Sequence, residues 1–159
     1  MEENNKYVDL TYLEGIADGD TSIIKELVEI FLDQMPEFTE GFEQNLGEKN
    51  WLKIAAIAHK AKSSVVSMGM QELGNVDLKN LELLAKQLRI LELEEKTSIT
   101  EAQKEEISTL KRNFEGYPED RINWVKENAN ISELTKLINK FNDVCGEAVK
   151  ELSQVISTY

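Results

Sequence analysis

Apolar residues recur along this chain at helical spacing, and the recurrences mark out four long helices. Over residues 22–46, Ile24, Leu27, Val28, Phe31, Met35, Phe38 and Phe42 form one stripe. Residues 51–68 place Ile54, Ile57, Ala58, Ala61, Val65 and Met68 on a second face, with Trp51 at its edge. Residues 70–95 carry Leu73, Leu81, Leu84, Leu88 and Leu91. The same segment holds a further stripe of Val76, Leu83 and Ile90 at intervals of seven, about 80–100° away. Over 133–157, Leu134, Leu137, Ile138, Phe141, Cys145, Ala148, Leu152 and Val155 make the last face.

Polar residues punctuate these stripes. Asp9 or Thr11 can cap a first helical turn from which Leu10, Leu13 and Ile16 point inward. Asp18-Gly19-Asp20-Thr21 reads as a turn ending in a cap, Gly47-Glu48-Lys49-Asn50 as a stop followed by a cap, and Ser132 as the cap of the last helix. Pro36 falls inside the first long helix, where it removes a hydrogen bond and crowds the carbonyl of Leu32, so a kink or break is expected there. Gly69 ends or bends the helix before it. The expected architecture is an all-α, antiparallel four-helix bundle with a short N-terminal helix, forming a single domain over residues 1–159.

Two stripes on residues 70–95 are more than a four-helix core needs. Residues 97–131 supply a partner for the second. Thr100 and Gln103 fit a capping box, Ile107, Leu110 and Phe114 form a narrow stripe, and Gly116-Tyr117-Pro118 closes that helix. Pro118 then opens a shorter helix with Ile122, Trp124 and Val125. This helical insert is expected to fold back on the second stripe.

Composition narrows the possible functions. A formal net charge of −12 argues against nucleic acid and against acidic membranes, because both need clustered Lys and Arg. No run of 18 apolar residues suggests a membrane span, and the polar start Met1-Glu2-Glu3-Asn4-Asn5 does not read as a signal peptide. The lone Cys145 excludes a disulfide framework and reads as a small buried hydrophobe more readily than as a redox group, so a cytoplasmic location is expected. One His and one Cys leave no zinc-type cluster, and no metal site is expected. A di-iron bundle needs Glu-x-x-His, and Ala56 stands three residues before His59. No glycine-rich loop supports ATP binding, and no nucleophile elbow supports a Ser-His-Asp triad.

The single histidine, His59, lies about 140° from the centre of the apolar face of its helix. Its neighbours on that side are Leu52, Ala55, Ala56, Ser63 and Val66, with Lys62 three residues on. An exposed helix face is usually coated with long charged side chains. This one is bare around the imidazole, which suits a docking patch. Solvated helix histidines without any function are nevertheless common.

The residues around it carry a family pattern: His59, Ala61, Lys62, Ser63, Ser64, Gly69, Met70 and Leu73, followed by Leu81-Glu82. This resembles the histidine-phosphotransfer (HPt) domain family of two-component phosphorelays. The resemblance spans most of the chain apart from about 97–131. It departs at Ser63, where many members have Gly. It implies a four-helix bundle whose His59 accepts a phosphoryl group from a receiver-domain aspartyl phosphate and passes it to another receiver. Lys62 would then offset phosphoryl charge, Ser64 would support local geometry, and Ser63 would lie at the close-contact position. Leu52, Ala55, Ala56, Val66 and Gly69 would form the docking face. By helical angle, Ser64 lies near the core edge, so a packing role for it is at least as well supported.

The implied partners are response-regulator receivers or a hybrid histidine kinase. No cofactor is expected on this chain, because the receiver would bring Mg²⁺. The chain would be a phosphocarrier and not an enzyme, whether stand-alone or a domain of a larger kinase. The alternative is a helical binding module that docks receivers or other partners without carrying phosphate. A pure scaffold has no need of His, Lys and two Ser at this spacing.

Overall fold

The computed structural model describes residues 5–159. Of the polar start, Met1 to Glu3 and Asn4 lie outside the described residues. The molecule is an all-α helical bundle. Its helices are α1 (Thr11–Ala17), α2 (Thr21–Gly47), α3 (Trp51–Ser67), α4 (Lys79–Glu94), α5 (Glu101–Arg112), α6 (Glu119–Asn128) and α7 (Ile131–Ser157). A π-helical segment, Leu73–Leu78, leads directly into α4. Helices α2, α3, α4 and α7 pack around one core, α1 closes one end, and α5 and α6 lie on α4.

Local signals set most boundaries. Asp20 caps α2 by accepting from the Ser22 N–H at 2.9 Å, and Asn50 caps α3 through the Lys53 N–H. Asp9 accepts from the Thr11 N–H and hydroxyl, which tethers the start of α1. Thr100 and Gln103 form the reciprocal capping box of α5. The cap of α7 is Asn130, which accepts from the Glu133 N–H at 2.9 Å, and not Ser132. Asn130 takes extended backbone angles while Ser132 is already helical, and only the extended residue can turn its side chain onto the free N–H groups.

The break allowed for at Pro36 does not occur, and two expectations from hydrophobic spacing fail. Helix α2 passes through Pro36 without a break. Phe31, Met35, Phe38 and Phe42 stay buried on both sides of it, and Phe38 and Phe42 pack edge-on against Phe141 of α7. That continuous packing outweighs the loss of one hydrogen bond, about 3 kcal/mol. Ile16 is 56% exposed, and Ala17 takes the inward place, because 10, 13 and 17 follow the helical period more closely than 10, 13 and 16.

The second failure is Val76, 47% exposed, while Leu83 and Ile90 are fully buried under α5 and α6. The π segment is the cause. A π turn holds one residue more than an α turn, so the period that links Leu83 to Ile90 does not extend back to Val76. It also puts Leu73 and Leu78, five residues apart, into the same core. In an α-helix they would point about 140° apart.

The insert folds back as expected. Leu110, Phe114 and Val125 are buried, and Ile107, Ile122 and Trp124 pack beside them. Arg89 of α4 clamps Glu106 of α5 through two nitrogens at 2.5 and 3.1 Å, and Lys111 pairs with Glu94 at 2.8 Å.

Candidate functional site

Helix α3 is held on three sides, by α2, by the π segment and by α4. What remains free is a narrow strip, and His59 is on it with 70% of its side chain exposed. Ser63 lies one turn further along the same strip, with its hydroxyl donating to the Lys60 carbonyl at 3.3 Å. Ala56 and Leu52 are also exposed, and Val66 is half-buried.

Ala55 is not on this strip. It is 4% exposed and belongs to the core, because a helix with three neighbours buries a wider arc than one with two, and this corrects its placement on a docking face. Gly69 has a structural reason to be glycine. Its φ is +89°, and a Cβ there would stand 2.4 Å from the Asp9 carbonyl oxygen. The N-terminal arm lies against it, with the Asp9 N–H donating to the Met68 carbonyl at 2.9 Å. Ser64 turns away from the imidazole and donates to Gln34 of α2 at 3.0 Å, so it ties α3 to α2. This is the packing role that its helical angle allowed.

The residue that organises the site is Glu82 of α4, whose side chain is only 5% exposed. His59 Nδ1 lies 3.3 Å from Glu82 Oε2 and 3.4 Å from Oε1. The Lys62 ammonium donates to Oε1 at 2.8 Å and that of Lys86 to Oε2 at 3.1 Å, while Lys79 Nζ stands 4.0 Å from Oε1. Burial alone would raise the carboxyl pKa of Glu82, but the hydrogen bonds from Lys62 and Lys86 outweigh it and hold the group at about 2. It is therefore a permanent anion at neutral pH, compensated by three ammonium groups.

An open cleft of about 630 Å³ lies above this cluster, lined by His59, Lys60, Lys62, Ser63, Asn75 and Lys79. Among the described residues no carboxylate lines it. In a chain of net charge −12, three lysines line the cleft beside the imidazole, Lys60 paired with Glu37 at 2.8 Å and Lys62 and Lys79 with Glu82. The cleft depends on close packing beneath it. Gly74 of the π segment is pressed against α3, and a Cβ there would meet Val66 at 2.5 Å and the Lys62 carbonyl at 2.9 Å.

The reading of residues identified His59, Lys62 and Ser63 as neighbours, and the structure brings these together. Glu82 entered only as half of the Leu81-Glu82 pair of the family pattern, with no role at the site, and Lys79, Lys86 and Asn75 were not singled out. A signal was present: Glu82 is the one charged residue in the run Leu81-Glu82-Leu83-Leu84-Ala85, with Lys79 three residues before it and Lys86 four after. A carboxylate in an apolar run, flanked by lysines at helical spacing, is one that must be buried with its counter-charges.

Among the described residues, no helix is long and apolar enough to cross a membrane, and no group of three or more His, Cys, Asp or Glu is placed to hold a metal ion. No curated protein and no solved structure gives a match to this chain. A sequence model of the Hpt domain matches residues 26–113, a span that takes in α5 and stops before α6 and α7. That is more than half of the chain, which therefore belongs to the Hpt domain family, whose members carry phosphoryl groups on histidine in phosphorelays.

Proposed function

We propose that His59 Nε2 accepts a phosphoryl group from the aspartyl phosphate of one receiver domain and delivers it to the aspartate of another. The observation that carries this reading is an exposed imidazole whose Nδ1 is backed by a buried carboxylate and whose free edge opens on a cleft of ammonium groups. A carboxylate beside Nδ1 favours the tautomer with hydrogen on that nitrogen, which leaves the Nε2 lone pair outward. Attack by Nε2 on phosphorus forms the N–P bond, and the acyl-phosphate oxygen leaves with its electron pair as the donor's carboxylate. The ring becomes cationic, and Glu82 offsets that charge. Transfer onward reverses the electron flow: the acceptor carboxylate attacks phosphorus and the N–P pair returns to the ring.

Lys62, close to the imidazole, offsets charge on the phosphoryl oxygens, and Ser63 leaves room for a partner's backbone. Phosphoryl transfer asks for little beyond alignment and charge neutralisation, and the receiver supplies the Mg²⁺. The docking face comprises Leu52, Ala56, Ser63 and Val66. A labelled receiver phosphate mixed with this protein tests the reading. Acid-labile, base-stable label should appear on the chain within the lifetime of the donor and be absent from the His59→Gln variant. Label on that variant would remove His59 as the carrier. No transfer from any active receiver would leave a protein-docking module.

A further inference from the structure

Helices α5 and α6 brace more than the apolar side of α4. Their connection and the first turn of α6 reach the first turn of α4 at two consecutive residues. The ring of Tyr117 lies under the Lys79 ammonium, 5.2 Å from Nζ to the ring centroid. Arg121 donates to Asn80 Oδ1, with its guanidinium stacked on Trp124 at 5.4 Å. Phe114, buried three residues before Tyr117, anchors the connection. Lys79 in turn lines the cleft of His59 and stands 4.0 Å from the carboxylate that backs the imidazole.

We infer that Lys79 is a second phosphoryl-neutralising group and that Tyr117 is the residue that positions it, so that the 97–131 segment completes the phosphotransfer site. The inference rests on His59 being the carrier. A phosphoryl group brings close to two negative charges, and one lysine does not offset them. Lys62 and Lys86 are tied to Glu82 at 2.8 and 3.1 Å and would have to give up short ion pairs to turn toward a phosphate. Lys79 is the most loosely held of the three, so it can turn with the least loss while Glu82 keeps its other two partners. An unrestrained lysine would spend its time in water. The aromatic face beneath Lys79, attracted to the ammonium, keeps it at the rim of the cleft.

The test uses the full chain phosphorylated with phosphoramidate and read by ³¹P NMR. A nearby ammonium lowers the pH at which a phosphoryl group takes up its proton. The titration midpoint should rise by about half a pH unit in Lys79→Gln. It should rise by less in Tyr117→Leu and stay in place in Tyr117→Phe, which keeps the ring. A purely structural role for Tyr117 would lower the melting temperature of Tyr117→Leu and leave the midpoint alone. A phosphohistidine formed with an unchanged midpoint in Lys79→Gln overturns the assignment and leaves His59 as the carrier. No phosphohistidine on the unaltered chain removes carrier and assignment together. Separately, the ε-methylene protons of Lys79 should show an upfield ring-current displacement, kept in Tyr117→Phe and lost in Tyr117→Leu. Its absence from the unaltered chain overturns the positioning role.

Discussion

Glu82 does two jobs with one carboxylate. It orients the imidazole and collects the charge of three lysines. Its folded pKa, about 2, lies below its ordinary 4.5, so its contribution to stability is complete above about pH 4.5. That contribution fades as pH falls toward 2 and the carboxylate is protonated. A depression of this size is worth on the order of 3 kcal/mol. Urea unfolding at pH 7 and pH 2.5 checks it. The unaltered protein should lose more stability between the two pH values than Glu82→Gln loses, by roughly that amount. Parallel losses in the two proteins would mean that the pairing contributes nothing. Other carboxylates titrate in both proteins and cancel in the comparison.

At the scale of elements, α4 is clad on its outer side by α5 and α6, and Phe114 is the largest buried side chain of that cladding. Phe114→Ala should cost about 3 kcal/mol. Amide hydrogen exchange should quicken in α5 and α6 while α3 keeps its protection, and equal quickening in both would show that the two regions open as one unit. The periodicity that predicted this packing was legible because Leu83, Ile90, Leu110 and Phe114 repeat at α-helical spacing. The long helices and most caps were legible for the same reason: each depends on residues within one or two turns. Val76 was misplaced because a π turn leaves no local mark; it results from Leu73, Gly74 and Leu78 all finding places against other helices. Ala55 was misplaced because the number of neighbours around α3 is a tertiary property. At the site, His59 and Lys62 share a helix and could be paired by angle, whereas Tyr117 comes close to Lys79 from 38 positions away only once the insert has folded back.

The whole molecule sets a largely apolar interior inside an acidic chain, with the lysine-lined cleft of His59 at its surface. Cys145 reports on the interior. Burial raises its thiol pKa to about 12, so almost no thiolate exists at neutral pH, and no reagent reaches it without opening of the bundle. Labelling with Ellman's reagent should be at least about a hundredfold slower in the native protein than in the urea-unfolded chain. Fast native labelling would mean that α7 separates from the bundle on its own.

The π segment has one more consequence, for the kinds of change this stretch can bear. Asn75 and Val76 are exposed there, so substitution at either should cost the fold little stability. Straightening the segment is another matter. With every residue kept, an ordinary α-helix over 73–78 would have better hydrogen bonds but would rotate the faces on its two sides by about 100° relative to each other. If Leu73 and Gly74 kept their seats on α3, Lys79 and Glu82 would swing away from His59. What the stretch between Gly69 and Glu82 supplies is therefore a turn geometry as much as its side chains, and the less regular helix is the one that faces its carboxylate to the imidazole.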